Sequence, residues 1–152
     1  MYQQVFDEMQ NVEFHEGLPE SDMLRPGTQL IVDDLMHEAD KRIDKIFTKH
    51  CHHNGVSIIF LTQNLFHKDA RTMTLNAQYL ILFKNPRDKT QITYLARQMY
   101  PGRSKFVTEA FEDATAKPYT YLVVDLRADT DDKQRLRSGI FPDEENYAYV
   151  PR

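Results

Sequence analysis

Four short, continuous apolar runs set what this chain can fold into: Gln29-Leu30-Ile31-Val32, Val56-Ser57-Ile58-Ile59-Phe60-Leu61, Tyr79-Leu80-Ile81-Leu82-Phe83 and Tyr121-Leu122-Val123-Val124. None alternates cleanly between polar and apolar. Runs of this length, rich in β-branched residues, predict strands covered on both faces. From about residue 35 to 50, Met36, Ala39, Ile43, Ile46 and Phe47 recur at helical spacing, opposite Glu38, Lys41, Arg42 and Lys45. Asn54-Gly55 is the expected stop. After the third run, Asn85-Pro86 predicts a turn and Asp88 with Gln91 a capping box. Ile92, Leu95, Ala96 and Met99 form the stripe of the helix that follows, ended by Pro101-Gly102. A further helix over about 104–116 would bury Phe106, Val107, Ala110, Phe111 and Ala114, with Pro118 as its stop. Strands alternating with helices predict an α/β fold with a mainly parallel sheet, right-handed crossovers and flanking helices.

The first 27 residues and the tail after Asp125 are less regular. In that tail, 129–132 reads as a solvated acidic loop and Ile140-Phe141-Pro142 as a segment packing back onto the sheet. With no repeat and no linker, a chain of 152 residues is expected to form a single domain, 1–152. At 41% hydrophobic and 28% charged residues it has the composition of a folded chain rather than a disordered one. A formal net charge of -4 excludes an overall basic field for nucleic acid, so a DNA contact needs a local patch or an oligomer's geometry. The single cysteine, Cys51, excludes an intramolecular disulfide. No apolar run approaches the roughly 18 residues of a membrane span, and 1–10 lacks a signal-peptide core. The expectation is therefore no membrane and an intracellular, reducing location.

Chemistry concentrates at the ends of the first two strands. Leu30-Ile31-Val32-Asp33-Asp34 puts two adjacent carboxylates at the C-terminal edge of a buried strand, where α/β sheets bind ligands. In a nucleotide hydrolase the first carboxylate holds the Mg²⁺ shell and the second orients or deprotonates the attacking water. The plain alternative makes Asp34 a helix cap and Asp33 a turn residue. Leu61-Thr62-Gln63-Asn64 ends the second strand. A parallel neighbour would bring Gln63 to the edge that holds Asp33, where an amide can bond a γ-phosphate or the lytic water. The alternative there is a polar strand exit that satisfies loop backbone groups.

Taken together these elements resemble the FtsK/HerA branch of P-loop ATPases, and more closely the DNA-packaging ATPases of Polinton-like elements and related large DNA viruses. The resemblance runs through Glu13-Phe14-His15-Glu16-Gly17-Leu18-Pro19, the Walker B-like Leu30 to Asp34, His52-His53-Asn54 and Thr62-Gln63-Asn64. It continues through Asn76-Ala77-Gln78-Tyr79, Phe83-Lys84-Asn85-Pro86-Arg87-Asp88 and Arg135-Leu136-Arg137. It implies Asp33 as the Mg²⁺ carboxylate, Asp34 as the catalytic acid (where the family more often has Glu), and Gln63, with Asn64, as the sensor facing ATP. It also implies a P-loop NTPase core of RecA/FtsK type, a homo-oligomeric ring such as a hexamer, double-stranded DNA and a capsid protein as partners. A virion or the host nucleus or cytoplasm is the matching location.

The family's phosphate loop, G-x-x-x-x-G-K-[ST], lies N-terminal to everything matched here, and none of Gly17, Gly27, Gly55, Gly102 and Gly139 begins such a pattern. The expectation is a fragment, a split gene product or a degenerate copy, weak or inert toward ATP in isolation. Arg87, in the turn after the third strand, is the candidate arginine reaching a neighbouring subunit, with Arg71 and Arg97 behind it; surface ion pairing is the alternative for all three. The cluster His50-Cys51-His52-His53 lacks the spacing of a zinc site and reads as structural or interfacial. Asp125 could add a carboxylate or begin a turn. A metal-dependent nuclease using Asp33 and Asp34 lacks the additional spaced carboxylates of two-metal chemistry. A non-catalytic remnant that binds other subunits is the remaining reading, and it predicts exposed apolar surface.

Overall fold

The computed structural model describes residues 9, 11–20, 23–33, 46, 55–66 and 71–151. The chain divides into two compact units, 1–63 with 67–73 and 64–66 with 74–152. In the first, β1 (Gln29–Asp33) and β2 (Ser57–Leu61) pair parallel, with Leu30 opposite Ile58 and Asp33 opposite Leu61. Strand side chains alternate between faces. Val32 is buried and Leu30, Ile58 and Phe60 half-buried, packing with Leu18, Leu24, Ile46, Val56 and Met73. Ile31, Ile59 and Leu61 lie exposed on the opposite face. The expected cover on both faces is thus seen on one face of this pair. The helix expected over 35–50 lies outside the described residues, apart from the buried Ile46.

The helix α1 (Arg71–Asn76) precedes the sheet of the second unit. There β3 (Tyr79–Phe83), β4 (Tyr121–Asp125), β5 (Leu136–Ser138) and β6 (Ala148–Tyr149) follow one another in space, each neighbouring pair antiparallel. The structure mixes helices and strands, as expected, but the third and fourth runs do not run parallel, and the larger sheet is antiparallel throughout. The reason lies between those two runs. One crossover helix carries the chain back to the start of a sheet and yields a parallel strand. Here two helices intervene, α2 (Thr90–Met99) and α3 (Ser104–Ala114), which go out and return. The chain re-enters at the end it left, so β4 reverses β3. The hairpin between the helices turns at Gly102, whose φ of +84° is left-handed.

Both helices bury the stripe their spacing predicts, Ile92, Leu95 and Ala96 from α2 and Val107, Ala110 and Ala114 from α3. They cover the sheet face bearing Leu80, Leu82, Leu122, Val124 and Leu136. Each large side chain removed from water there is worth roughly 1.5–3 kcal/mol. Asp88 caps α2 in a variant of the expected box: its carboxylate accepts from the Thr90 amide (3.0 Å) and the Gln91 side chain (3.0 Å). β4, the only strand of this sheet buried along all five residues, is also its most central apolar run. Two strands were not expected from the tail, β5 and β6, and Ile140 and Phe141 stay exposed instead of packing back.

Candidate functional site

Strand direction decides which sequence-marked residues can meet. Because β1 and β2 are parallel, their C-terminal ends share an edge, and Asp33 stands level with Leu61. Gln63 lies two residues past that point, exposed, as is the Asp33 side chain. The structure therefore brings a carboxylate and an amide to one edge of a parallel pair, the position at which open α/β sheets bind ligands. Asp34 lies outside the described residues, as do His50, Cys51, His52 and His53.

The other two predicted site residues belong to the second unit. Asn64 folds a local turn, its Oδ1 accepting from the Phe66 amide (2.9 Å). Arg87 is exposed in the turn after β3, its own amide donating to Asn85 Oδ1 (3.0 Å). Arg97 is exposed in the last turn of α2, and Arg71 opens α1. Among the described residues no group of three or more His, Cys, Asp and Glu could hold a metal ion.

A cluster that sequence reasoning left unassigned surrounds Asp125, which is 1% exposed. Its carboxylate accepts from Arg127 Nε (3.2 Å) and Nη2 (3.2 Å) and from Arg137 Nη2 (3.3 Å). Burial pushes this carboxyl up, but the hydrogen bonds from Arg127 and Thr130 outweigh it and hold the group below the usual aspartate range. Arg135 donates to the carbonyls of Asp125 (2.8 Å), Arg127 (3.1 Å) and Thr130 (3.0 Å). Arg135-Leu136-Arg137 thus ties β5 to the turn after β4, with Leu136 fully buried between. Arg127, Lys133, Arg135 and Arg137 stand with Asp125, Asp129, Asp131 and Asp132 in this stretch, and the bonds among the arginines and aspartates make the cluster a brace. The signal for it was the D-x-R…R-x-R spacing at two strand ends. A shallow groove of ≈ 700 Å³ beside α3 and β6 holds Asp113 and Tyr149, which bond each other (2.7 Å). No described helix is long and apolar enough to cross a membrane. Comparison with known protein families, curated proteins and solved structures finds no match to this chain.

Proposed function

We propose that this chain is the Walker B and sensor portion of a P-loop ATPase of the DNA-packaging type, working with a phosphate-loop segment in an oligomeric ring. The observation that supports it most is the parallel register of β1 and β2, with Asp33 and Gln63 at one edge. In this reading Asp33 holds Mg²⁺, Asp34 orients the attacking water, Gln63 faces the γ-phosphate, and Arg87 reaches a neighbouring subunit's nucleotide. The ion, when bound with ATP, neutralises charge on the phosphates. Double-stranded DNA and a capsid protein are the partners, and the setting is intracellular, in a virion or in the host nucleus or cytoplasm. A second reading, a non-catalytic module that binds other ATPase subunits, is favoured by the exposed Ile31, Ile59 and Leu61, an apolar sheet face suited to a further layer.

The test measures Mg·ATP binding and hydrolysis for the 152-residue chain and for a product extended by the coding sequence upstream of Met1. The chain alone should show no turnover, and Asp34→Asn should change nothing in it. The extended product should hydrolyse ATP and lose about a hundredfold in rate on Asp33→Asn. Equal, negligible Mg·ATP binding by both products, or turnover indifferent to Asp33→Asn, would overturn the ATPase reading in favour of the binding module.

A further inference from the structure

β3 lies at one margin of its sheet, and among the described residues only β4 pairs with it. The register decides which backbone groups it leaves outward. The Leu126 amide donates to the Gln78 carbonyl (2.8 Å), which makes 78 and 126 a bonded pair. Bonded pairs alternate along an antiparallel ladder. Leu80 and Leu82 therefore turn their N–H and C=O groups to β4, while those of Tyr79, Ile81 and Phe83 point to the open margin. The side chains of the same three residues are 44%, 45% and 59% exposed, on the face away from the helices. Charges, prolines and glycines ordinarily blunt such a margin, and Tyr79-Leu80-Ile81-Leu82-Phe83 contains none.

The segment also reads the same from either end: aromatic, Leu, Ile, Leu, aromatic. We propose that β3 pairs antiparallel with β3 of a second copy of this chain, about a two-fold axis through Ile81, joining two sheets into one. Ile81 then stands opposite the partner's Ile81, and Tyr79 opposite the partner's Phe83. Every outward N–H and C=O of the five residues meets a complementary group. A two-fold axis perpendicular to the sheet keeps Leu80 and Leu82 of both copies facing their own helices. The next register that matches outward groups is slipped by two residues. It sets Ile81 against the partner's Tyr79 and Phe83 against the partner's Ala77, so the aromatic cross-strand pairs are lost. No like charges meet, since Lys84 falls opposite the partner's Gln78. The pairing does not rest on the ATPase reading, and its test uses no nucleotide.

Sedimentation of the full chain should show a concentration-dependent dimer, weakened about tenfold or more by Ile81→Lys, which sets two like charges face to face. Tyr94→Lys, an exposed position on α2, should leave the dimer intact. In a Cys51→Ser background, Ile81→Cys should cross-link to itself under mild oxidation. Tyr79→Cys should cross-link to Phe83→Cys when the two variants are mixed, more than either does alone. A chain that stays monomeric at about 100 µM overturns the proposal, since a functional dimer needs tighter association than that. So does a dimer that Ile81→Lys leaves unchanged and in which Ile81→Cys does not cross-link.

Discussion

Two residues carry energies that their neighbours in sequence do not announce. Asp125 is buried between two guanidiniums that are themselves 41% and 30% exposed. Removing its charge leaves those arginines free to turn to water, so the cost should fall short of that for a fully buried pair. Asp125→Asn is expected to lose about 1–2 kcal/mol in urea unfolding. The sign with pH follows from its lowered pKa. The contribution is complete above the ordinary aspartate value of 3.8 and fades as pH falls through the lower folded value. Tyr119 is the opposite case. It is 95% exposed and holds a φ of +64°, so its ring contributes little packing while its backbone is strained. The left-handed conformation costs a non-glycine residue about 1–2 kcal/mol, against about 0.5–1 kcal/mol for glycine's extra freedom when unfolded. Tyr119→Gly should therefore stabilise the chain by about 0.5 kcal/mol, read from the urea midpoint at unchanged slope. A destabilisation would show that the ring makes a contact worth more than the strain.

At the scale of elements, the loop between β5 and β6 depends on one carboxylate. Glu144 accepts from the Tyr121 hydroxyl and from the amides of Ile140 (2.9 Å) and Phe141 (3.1 Å). The bond from Tyr121, followed by those amides, holds its carboxyl below the usual glutamate value of 4.5. The clamp is accordingly complete above that value and released as pH falls through the lowered one. Glu144→Gln should speed exchange of the Ile140 and Phe141 amides about tenfold at neutral pH and flatten its acid dependence. Unchanged exchange would mean that the turn holds itself. The positions of the longer elements were legible in the sequence: the four apolar runs became β1 to β4, and both helical stripes after β3 were the ones buried. Direction was misread because strand order was inferred from alternation alone. The two helices between β3 and β4 were visible, and counting their traverses would have given the reversal. β5 and β6 were not legible, because three and two residues carry no periodicity and their pairing depends on Arg135, Arg137 and Tyr149 bonding across the chain. That Asp33 and Gln63 share one edge was legible because a parallel pair aligns strand ends without help from tertiary detail. The brace around Asp125 went unread, although the D-x-R and R-x-R spacings were there, since it joins the turn after β4 to β5, a strand the sequence did not announce.

For the whole molecule, the two units differ in what their own packing can sustain. The described sheet of the first has two parallel strands, with an apolar face exposed at Ile31, Ile59 and Leu61. Parallel sheets ordinarily have both faces covered, and two strands alone are marginal in water. In the second unit, four strands carry two helices over a core in which Ala96, Val107, Leu122, Val124 and Leu136 have no exposed surface. Opening free energy should therefore be unequal along the chain. In native-state hydrogen exchange the amides of Leu122, Val123 and Val124 should be the last to exchange. Those of Leu30, Ile31 and Val32 should exchange at least about tenfold faster, equivalent to about 1.4 kcal/mol less protection, with a weaker dependence on denaturant. The ATPase reading adds a second arm to the same measurement. If a phosphate-loop segment covers the exposed face of β1 and β2, the extended product should slow the β1 amides while leaving those of β4 unchanged. Equal protection of β1 and β4 in the chain by itself would show that the first unit is stable as it stands, and would remove the physical motive for a missing layer.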